Sequence, residues 1–369
     1  MNPELSHFAA RLRGSIAIGF QNESFDALAL ELFALQFQNN PAYRKTCEAH
    51  KLSPQGVGHW TQIPAAPAAA FKELELTAIP AGERTAVFHS SGTTGQKPGR
   101  HFHNAESLAL YEASSWNWFE LHFGDAGELV FLTPDQNAAP RSSLVHMFET
   151  VRRKLGLPEA AFVGKFADDG AWVLDFAGII GRLKSACDSE QPLTLLGTAF
   201  SFVHLLDYLA EKNLQFRLPK NSLAMETGGY KSRSRALPKT ELHALITQQL
   251  GIMPDKIICE YGMSELSSQA YSVTSDEWRL PGQSETHHAS RITHHFSFPP
   301  WARVQIVSPE TGREVAEGET GLIRVFDLAN VFSVAAVQTE DLGIRRGDGF
   351  ELIGRAQLAE SRGCSLMTA

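Results

Sequence analysis

Ten consecutive residues, Ser90-Ser91-Gly92-Thr93-Thr94-Gly95-Gln96-Lys97-Pro98-Gly99, constrain this chain more than any other stretch. Two hydroxyl pairs, Ser90/Ser91 and Thr93/Thr94, stand among Gly92, Gly95 and Gly99, so a permissive backbone can approach a polyanion while hydroxyls and amides donate to it. Lys97 adds a mobile positive charge, and the apolar Val87-Phe88 in front reads as a strand end from which the loop springs. The glycine spacing excludes a Walker A loop: Gly92 and Gly95 enclose two residues rather than four, and Lys97 is followed by Pro98. The stretch reads as the phosphate grip of a different nucleotide fold, against the plain Gly/Ser/Thr turn that short glycine motifs usually are.

A chain of 369 residues exceeds the size at which one core stops growing, which predicts one large or two intimately packed domains. A net charge of −8 argues against nucleic acid or an anionic membrane as the main partner and points to small molecules. No apolar run approaches the roughly 20 residues that span a bilayer, and Met1-Asn2-Pro3-Glu4 does not open a secretory leader, so a cytoplasmic protein with no transmembrane segment is expected. Cys47, Cys187, Cys259 and Cys364 show no CxxC spacing, which predicts neither a disulfide framework nor a zinc site. His287, His288, His294 and His295 have no neighbouring cysteine to complete a ligand pattern.

Along the chain, Ser24 is placed to cap a helix through Phe25, Leu28, Leu32 and Leu35, stopped by Asn39-Asn40-Pro41, and the N-terminal region is expected to be mainly helical. Ile63 to Lys72, with prolines at 64 and 67, reads as an extended entry into a short helix. Further on, Asn104, Ser142 and Ser201 are placed to cap helices, another spans about 175 to 186, and Leu129–Leu132 and Leu193–Leu196 read as buried strands. Short apolar strands alternating with amphipathic helices predict a largely parallel sheet covered on both faces, with the phosphate loop at a carboxyl end of its strands. From about Ser267 onward the pattern turns to short strands and turns.

Two further loops follow strand-like runs. Met225-Glu226-Thr227-Gly228-Gly229-Tyr230 lets the backbone turn closely around a flat ligand or simply end a strand. Cys259-Glu260-Tyr261-Gly262-Met263-Ser264-Glu265 gathers an aromatic face, a hydroxyl and a carboxylate, a set suited to adenine, phosphate and Mg²⁺, since magnesium takes a carboxylate plus phosphate oxygens.

With the loop at 90 to 99, these resemble, in order, the phosphate, adenine and Tyr-Gly-x-Thr-Glu signatures of the adenylate-forming superfamily; Ser264 replaces the usual threonine. Gly318-Glu319-Thr320-Gly321 resembles its structural turn, Thr339-Glu340-Asp341-Leu342-Gly343 the segment whose aspartate binds the ribose, and Gly354-Arg355 the start of its hinge, with Gln357 where aspartate is usual. Only 14 residues follow Arg355, whereas typical members continue into a mobile domain carrying a catalytic lysine. Together with Asn39-Asn40-Pro41-Ala42-Tyr43, the Ile63-Pro64…Phe71-Lys72 entry and Arg362-Gly363-Cys364-Ser365-Leu366, the chain resembles the LuxE-type acyl-protein synthetases, the synthetase subunits of fatty acid reductase complexes.

That resemblance implies an α/β adenylation core with a helix-covered, largely parallel sheet, a β-rich later part, and a mobile domain absent or reduced to a short tail. It divides the chain into a helical region at 1–75, a nucleotide-binding core at 76–353 and a tail at 354–369. It implies ATP and Mg²⁺, a fatty or other carboxylic acid, and a possible acyl reductase or other acyl-accepting partner. Lys97, Glu265 and Cys364 are the implied catalytic residues, with Glu265 also the magnesium ligand and Cys364 the acyl acceptor; Arg362 would favour its thiolate. Ser90, Ser91, Gly92, Thr93, Thr94, Gly95, Gly228, Gly229, Tyr261, Gly262, Asp341 and Arg355 are the implied nucleotide contacts. Cys259, beside the nucleotide loop, is the fallback acceptor. The competing readings are an acid–coenzyme A or acid–carrier-protein ligase of the phenylacetate–coenzyme A ligase type, and a catalytically silent binding subunit.

Overall fold

The computed structural model describes residues 2–21, 23–90, 97–124, 127–167, 172–228, 237–273 and 295–355. Three helices come first: α1 (Pro3–Ala17), α2 (Phe25–Asn39) and α3 (Pro41–Ala49). Ser24 Oγ accepts from the Ala27 amide at the start of α2, and Asn40 both ends α2 and caps α3, accepting from the Tyr43 amide with Pro41 in the first turn. The extended entry segment joins the main sheet, because β1 (Ala66–Pro67) pairs in parallel with the late strand at Ala336–Arg346 before α4 (Ala70–Glu73) begins.

The hairpin β2 (Ala86–His89) and β3 (Arg100–His103) follows, then α5 (Ala105–Phe123), whose Asn104 and Ser107 form a reciprocal capping box. Next come β4 (Glu128–Phe131), α6 (Ser143–Lys154), the hairpin β5 (Gly164–Phe166) and β6 (Trp172–Leu174), α7 (Phe176–Ser189), β7 (Leu193–Thr198) and α8 (Ala199–Glu211). The chain continues through β8 (Leu223–Thr227), α9 (Lys239–Leu250), β9 (Ile257–Tyr261), β10 (Ala270–Val273), β11 (His295–Ser297), β12 (Ala302–Val307), β13 (Thr320–Asp327), β14 (Ala336–Arg346) and β15 (Gly349–Arg355).

The main sheet has the order β12-β13-β14-β15-β11-β10-β9-β8-β7-β4. It is mixed, the helix-covered strands being parallel and those of the β-rich later part antiparallel. Along that order β4, β7, β8 and β9 run parallel, while every pairing from β9 through β10 to β12 is antiparallel. The parallel strands are buried on both sides, and successive residues point to opposite faces. Phe131, Leu196 and Met225 join a core with α5, α6 and the N-terminal helices, whereas Val130, Leu195 and Ala224 join one with α7, α8 and α9.

Two expectations are corrected. The phosphate loop springs from the separate β2–β3 hairpin, not from a strand of the parallel sheet. The cap of α8 is Thr198, whose Oγ1 accepts from the Ser201 amide; Ser201 is inside the first turn. No described helix is long and apolar enough to cross a membrane.

Candidate active site

The ends of the phosphate loop are closed on each other. The Ser90 amide donates to Gly99 O at 3.1 Å, and the Gly99 amide donates to Ser90 Oγ at 2.7 Å. Ser91, Gly92, Thr93, Thr94 and Gly95 lie outside the described residues. At Gly99 the absence of a side chain is required by close approach: a Cβ there would come within 2.8 Å of Glu265 Oε1 and 2.9 Å of Ser90 Oγ. The carboxylate of the Tyr-Gly-Met-Ser-Glu loop thus reaches the base of the phosphate loop across 166 positions of sequence. Lys97 is exposed and forms an ion pair with Glu73 of α4, with Nζ at 3.5 Å.

Glu265 is held from several sides. Ser264 Oγ donates to its Oε2 at 3.0 Å, Asn330 Nδ2 donates to its backbone carbonyl at 2.9 Å, and His101 Nδ1 donates to the Ser264 carbonyl at 2.9 Å. Burial pushes the Glu265 carboxyl up, while its own amide, the Ser264 hydroxyl, and the Arg355 and Lys72 charges pull it back. Burial lowers His101 to about 4, which keeps it a neutral donor.

The loop that carries Glu265 is fastened by Asp327 at the end of β13. Its Oδ2 accepts from the Ser267 and Ser268 amides, both at 2.8 Å, and its Oδ1 accepts from Ser268 Oγ at 2.7 Å and the Ala329 amide at 3.0 Å. Burial raises its pKa to about 6 against those four bonds. Ser267 Oγ donates to Asn330 Oδ1 at 2.7 Å, so Asn330 ties the same loop twice.

On the other side, Tyr261 at the end of β9 donates its hydroxyl to Asp341 Oδ2 at 2.9 Å. Asp341 and Arg355 are cross-strand partners of β14 and β15, with Arg355 Nε 3.7 Å from Asp341 Oδ1. The Tyr261 ring is only 6% exposed and sits edge-on to Phe296, Phe298 and Phe350, so it offers Asp341 a fixed hydroxyl more than it offers a ligand an open face. Burial raises the Asp341 carboxyl, and the Tyr261 hydroxyl and Arg355 charge offset it.

Gly228 follows β8 with φ +71°, a left-handed conformation that favours glycine, and is exposed at the strand end; Gly229 lies outside the described residues. Gly262 is exposed, but a Cβ there would collide with the Glu260 carboxylate. Glu260 accepts from Thr227 Oγ1, linking the ends of β8 and β9, and burial raises its pKa to about 7.

Cys364 is outside the described residues. The fallback Cys259 is fully buried, and desolvation with the Glu226 charge pushes its thiol far up, as burial pushes Cys47 to about 11. Of the three described cysteines only Cys187 is partly exposed. Sequence reading missed Asp327, Asn330, His101 and Lys72. None belongs to a local motif, although Phe71-Lys72 stands in the entry segment and α4 brings it beside the loop base, with Phe71 Cβ 3.5 Å from where a Gly99 Cβ would lie.

The Glu265 carboxylate fits the donor chemistry that magnesium takes, and it occupies the cradle left by the missing Gly99 side chain beside Ser90.

A family model described as acyl-protein synthetase, LuxE, matches residues 16–369. The chain is 25% identical over 366 residues to a long-chain-fatty-acid--luciferin-component ligase of Aliivibrio fischeri, across 95% of this chain and 89% of that protein. It is 23% identical over 361 residues to the protein of the same name from Vibrio harveyi, across 94% and 87%. Among solved structures it resembles an open conformation of 2-hydroxyisobutyryl-CoA ligase in complex with 2-HIB-AMP and CoA, with a TM-score of 0.61 at 14% identity over 89% of this chain and 73% of that one. These similarities place its fold with the adenylate-forming enzymes.

Proposed function

The chain belongs to the LuxE family of acyl-protein synthetases, and from that premise we propose that it uses ATP to activate a long-chain carboxylic acid as an acyl-adenylate, then transfers the acyl group to its own Cys364 and on to a partner such as an acyl reductase. The observation that carries the first half is the contact of Glu265 with the Ser90–Gly99 loop base, 2.8 Å from the missing Gly99 side chain. Two sequence-distant signatures meet there, with the Tyr261–Asp341–Arg355 set beside them.

In this reading the acid's carboxylate oxygen attacks the α-phosphorus and pyrophosphate leaves. The loop hydroxyls and amides, Thr94 foremost, and Lys97 offset charge that grows on the phosphates. Asp341, braced by Tyr261 and Arg355, holds the ribose hydroxyls, and Tyr261 at the end of β9 with Gly228 and Gly229 frames the adenine. Glu265 would hold Mg²⁺, which when bound supplies Lewis-acid polarisation of the phosphates. Lys72 is a further cation of the main body whose field reaches Glu265. The Cys364 thiolate then attacks the acyl carbonyl, a thioester forms and AMP departs, splitting one hard transfer into two easier ones. Burial of Cys47 and Cys259 pushes both thiols up and disfavours their thiolates, which favours an acceptor elsewhere.

Intact-protein mass and acid-dependent pyrophosphate exchange test this with ATP, Mg²⁺ and a series of fatty acids. Wild type should gain one acyl mass that hydroxylamine removes; Cys364→Ser should keep exchange and lose the adduct, and Glu265→Ala should lose both. A wild-type protein that stays unmodified while acylating free coenzyme A would make it a ligase of the coenzyme A type instead.

A further inference from the structure

Behind the adenine-side strand ends, on the face covered by α9, four polar side chains meet in the core. Glu226 and Cys259 are register partners on the parallel strands β8 and β9, so they point to the same face. Lys239 and His243, four residues apart on α9, lie on one side of that helix. Cys259 Sγ is 3.8 Å from His243 Nε2, which is 3.4 Å from Glu226 Oε1, and all three atoms lie within 4.8 Å of one another. The three residues are 0%, 7% and 1% exposed in that order.

We propose that Glu226, His243 and Cys259 form a binding site for a zinc-class divalent ion, with a fourth ligand from solvent. Metal–sulfur, metal–nitrogen and metal–oxygen bonds at tetrahedral angles put such donors about 3.3–3.6 Å apart, and the sulfur–imidazole and imidazole–carboxylate pairs are already within a few tenths of an ångström of that spacing. A thiolate with an imidazole selects a borderline-soft ion over magnesium, which keeps this site separate from the phosphate loop.

Charge is conserved in the exchange. Without metal, the Glu226 carboxylate is balanced by the Lys239 ammonium, whose Nζ is 3.0 Å from Oε1. With metal, carboxylate and thiolate together balance the ion; the thiol proton passes to solvent and Lys239 swings outward, a movement open to a side chain already 38% exposed. Lys239 is therefore the ion's competitor. No sequence pattern announces the site, because its ligands sit on a strand, a helix and a strand, 17 and 16 residues apart.

Cobalt(II) titration of the full-length protein tests it. One equivalent should give a thiolate-to-cobalt charge-transfer band with strong four-coordinate visible bands, both removed by zinc. Cys259→Ser and His243→Gln, checked by circular dichroism to be folded, should each weaken binding 100-fold or more and abolish or shift the band. Lys239→Gln should strengthen it about tenfold, since no ammonium is then displaced. Absence of a stoichiometric thiolate band in wild type, its survival in Cys259→Ser, or weaker binding in Lys239→Gln would overturn the proposal. Acyl-adenylate chemistry does not enter this readout, so its failure leaves the family reading untouched.

Discussion

The parallel and antiparallel halves of the main sheet contribute to the candidate site in different ways. Strands β7 and β8 are almost continuously buried, and the candidate residues lie at strand ends: β8 ends in Thr227, followed by Gly228, and β9 ends in Tyr261. The antiparallel strands instead alternate inward and outward, and they offer residues from strand interiors and far corners: Asp341 beside a register shift of β14, Arg355 at the end of β15, and Asp327 at the end of β13. The seam is β9, parallel to β8 on one side and antiparallel to β10 on the other. One half places candidate residues by ending its strands together; the other places them by hydrogen bonds between segments remote in sequence.

If the antiparallel half fixes the seam, Asp327→Ala should be the most damaging substitution. It strips the acceptor from three amides and a hydroxyl in a site with no water access, and each orphaned buried donor costs about 1–3 kcal/mol. A loss of at least about 3 kcal/mol is expected from urea unfolding, accompanied by loss of pyrophosphate exchange as the Glu265 loop is released. A loss under about 1 kcal/mol would show that the parallel strands alone hold the loop.

Gly99→Ala separates the site from the fold. The new methyl must displace the Glu265 carboxylate or the Ser90 hydroxyl, both side-chain atoms, so the scaffold can yield while the site cannot. Pyrophosphate exchange should fall about 100-fold, equivalent to about 2.7 kcal/mol, with little change in thermal midpoint. Equal exchange rates would mean that the contact between the hairpin and the seam is not used in adenylation.

Glu260→Gln probes the parallel side. Burial lifts this carboxyl from the ordinary 4.5 to about 7, so the folded protein binds its proton more tightly than the unfolded chain does. The sign follows: stability from this group falls as pH rises from 4.5 through 7, and the ionised form is a cost above that. An amide should therefore stabilise the protein by about 2 kcal/mol at pH 8 and flatten the pH dependence between 4.5 and 7, measured by thermal melts across that range. Destabilisation at pH 8 would mean that the carboxylate accepting from Thr227 is the favoured form.

What was legible in the sequence follows the same division. Ser24, Asn104, Ser142 and Asp175 cap helices within three residues of their own positions, and Leu193–Leu196 is a strand by its apolar run, so local pattern suffices. The phosphate loop, Tyr261, Glu265 and Asp341 were visible because each lies in a short motif. Asp327 and Asn330 act on residues about 60 positions away, and the short antiparallel strands β10 and β11 carry no distinctive period, so neither left a local trace. The parallel-sheet expectation failed for the phosphate loop because β2 and β3, four residues each, pair only with each other, a relationship that periodicity does not encode.

The smallest expected effect tests legibility inside the parallel half itself. Both Thr198 and Ser201 can cap α8 by residue type, and the structure chooses Thr198: its Oγ1 accepts from the Ser201 amide at 3.1 Å and pairs with Ser201 Oγ at 2.9 Å. Thr198→Ala removes the partner of both an amide and a hydroxyl, and should cost about 1 kcal/mol or slightly more in urea unfolding. Ser201→Ala leaves the amide bond to Thr198 in place and should cost less than half as much. The reverse ranking would start α8 one turn later, at Ser201, and would shift Ala199 and Phe200 from the helix into the connection after β7.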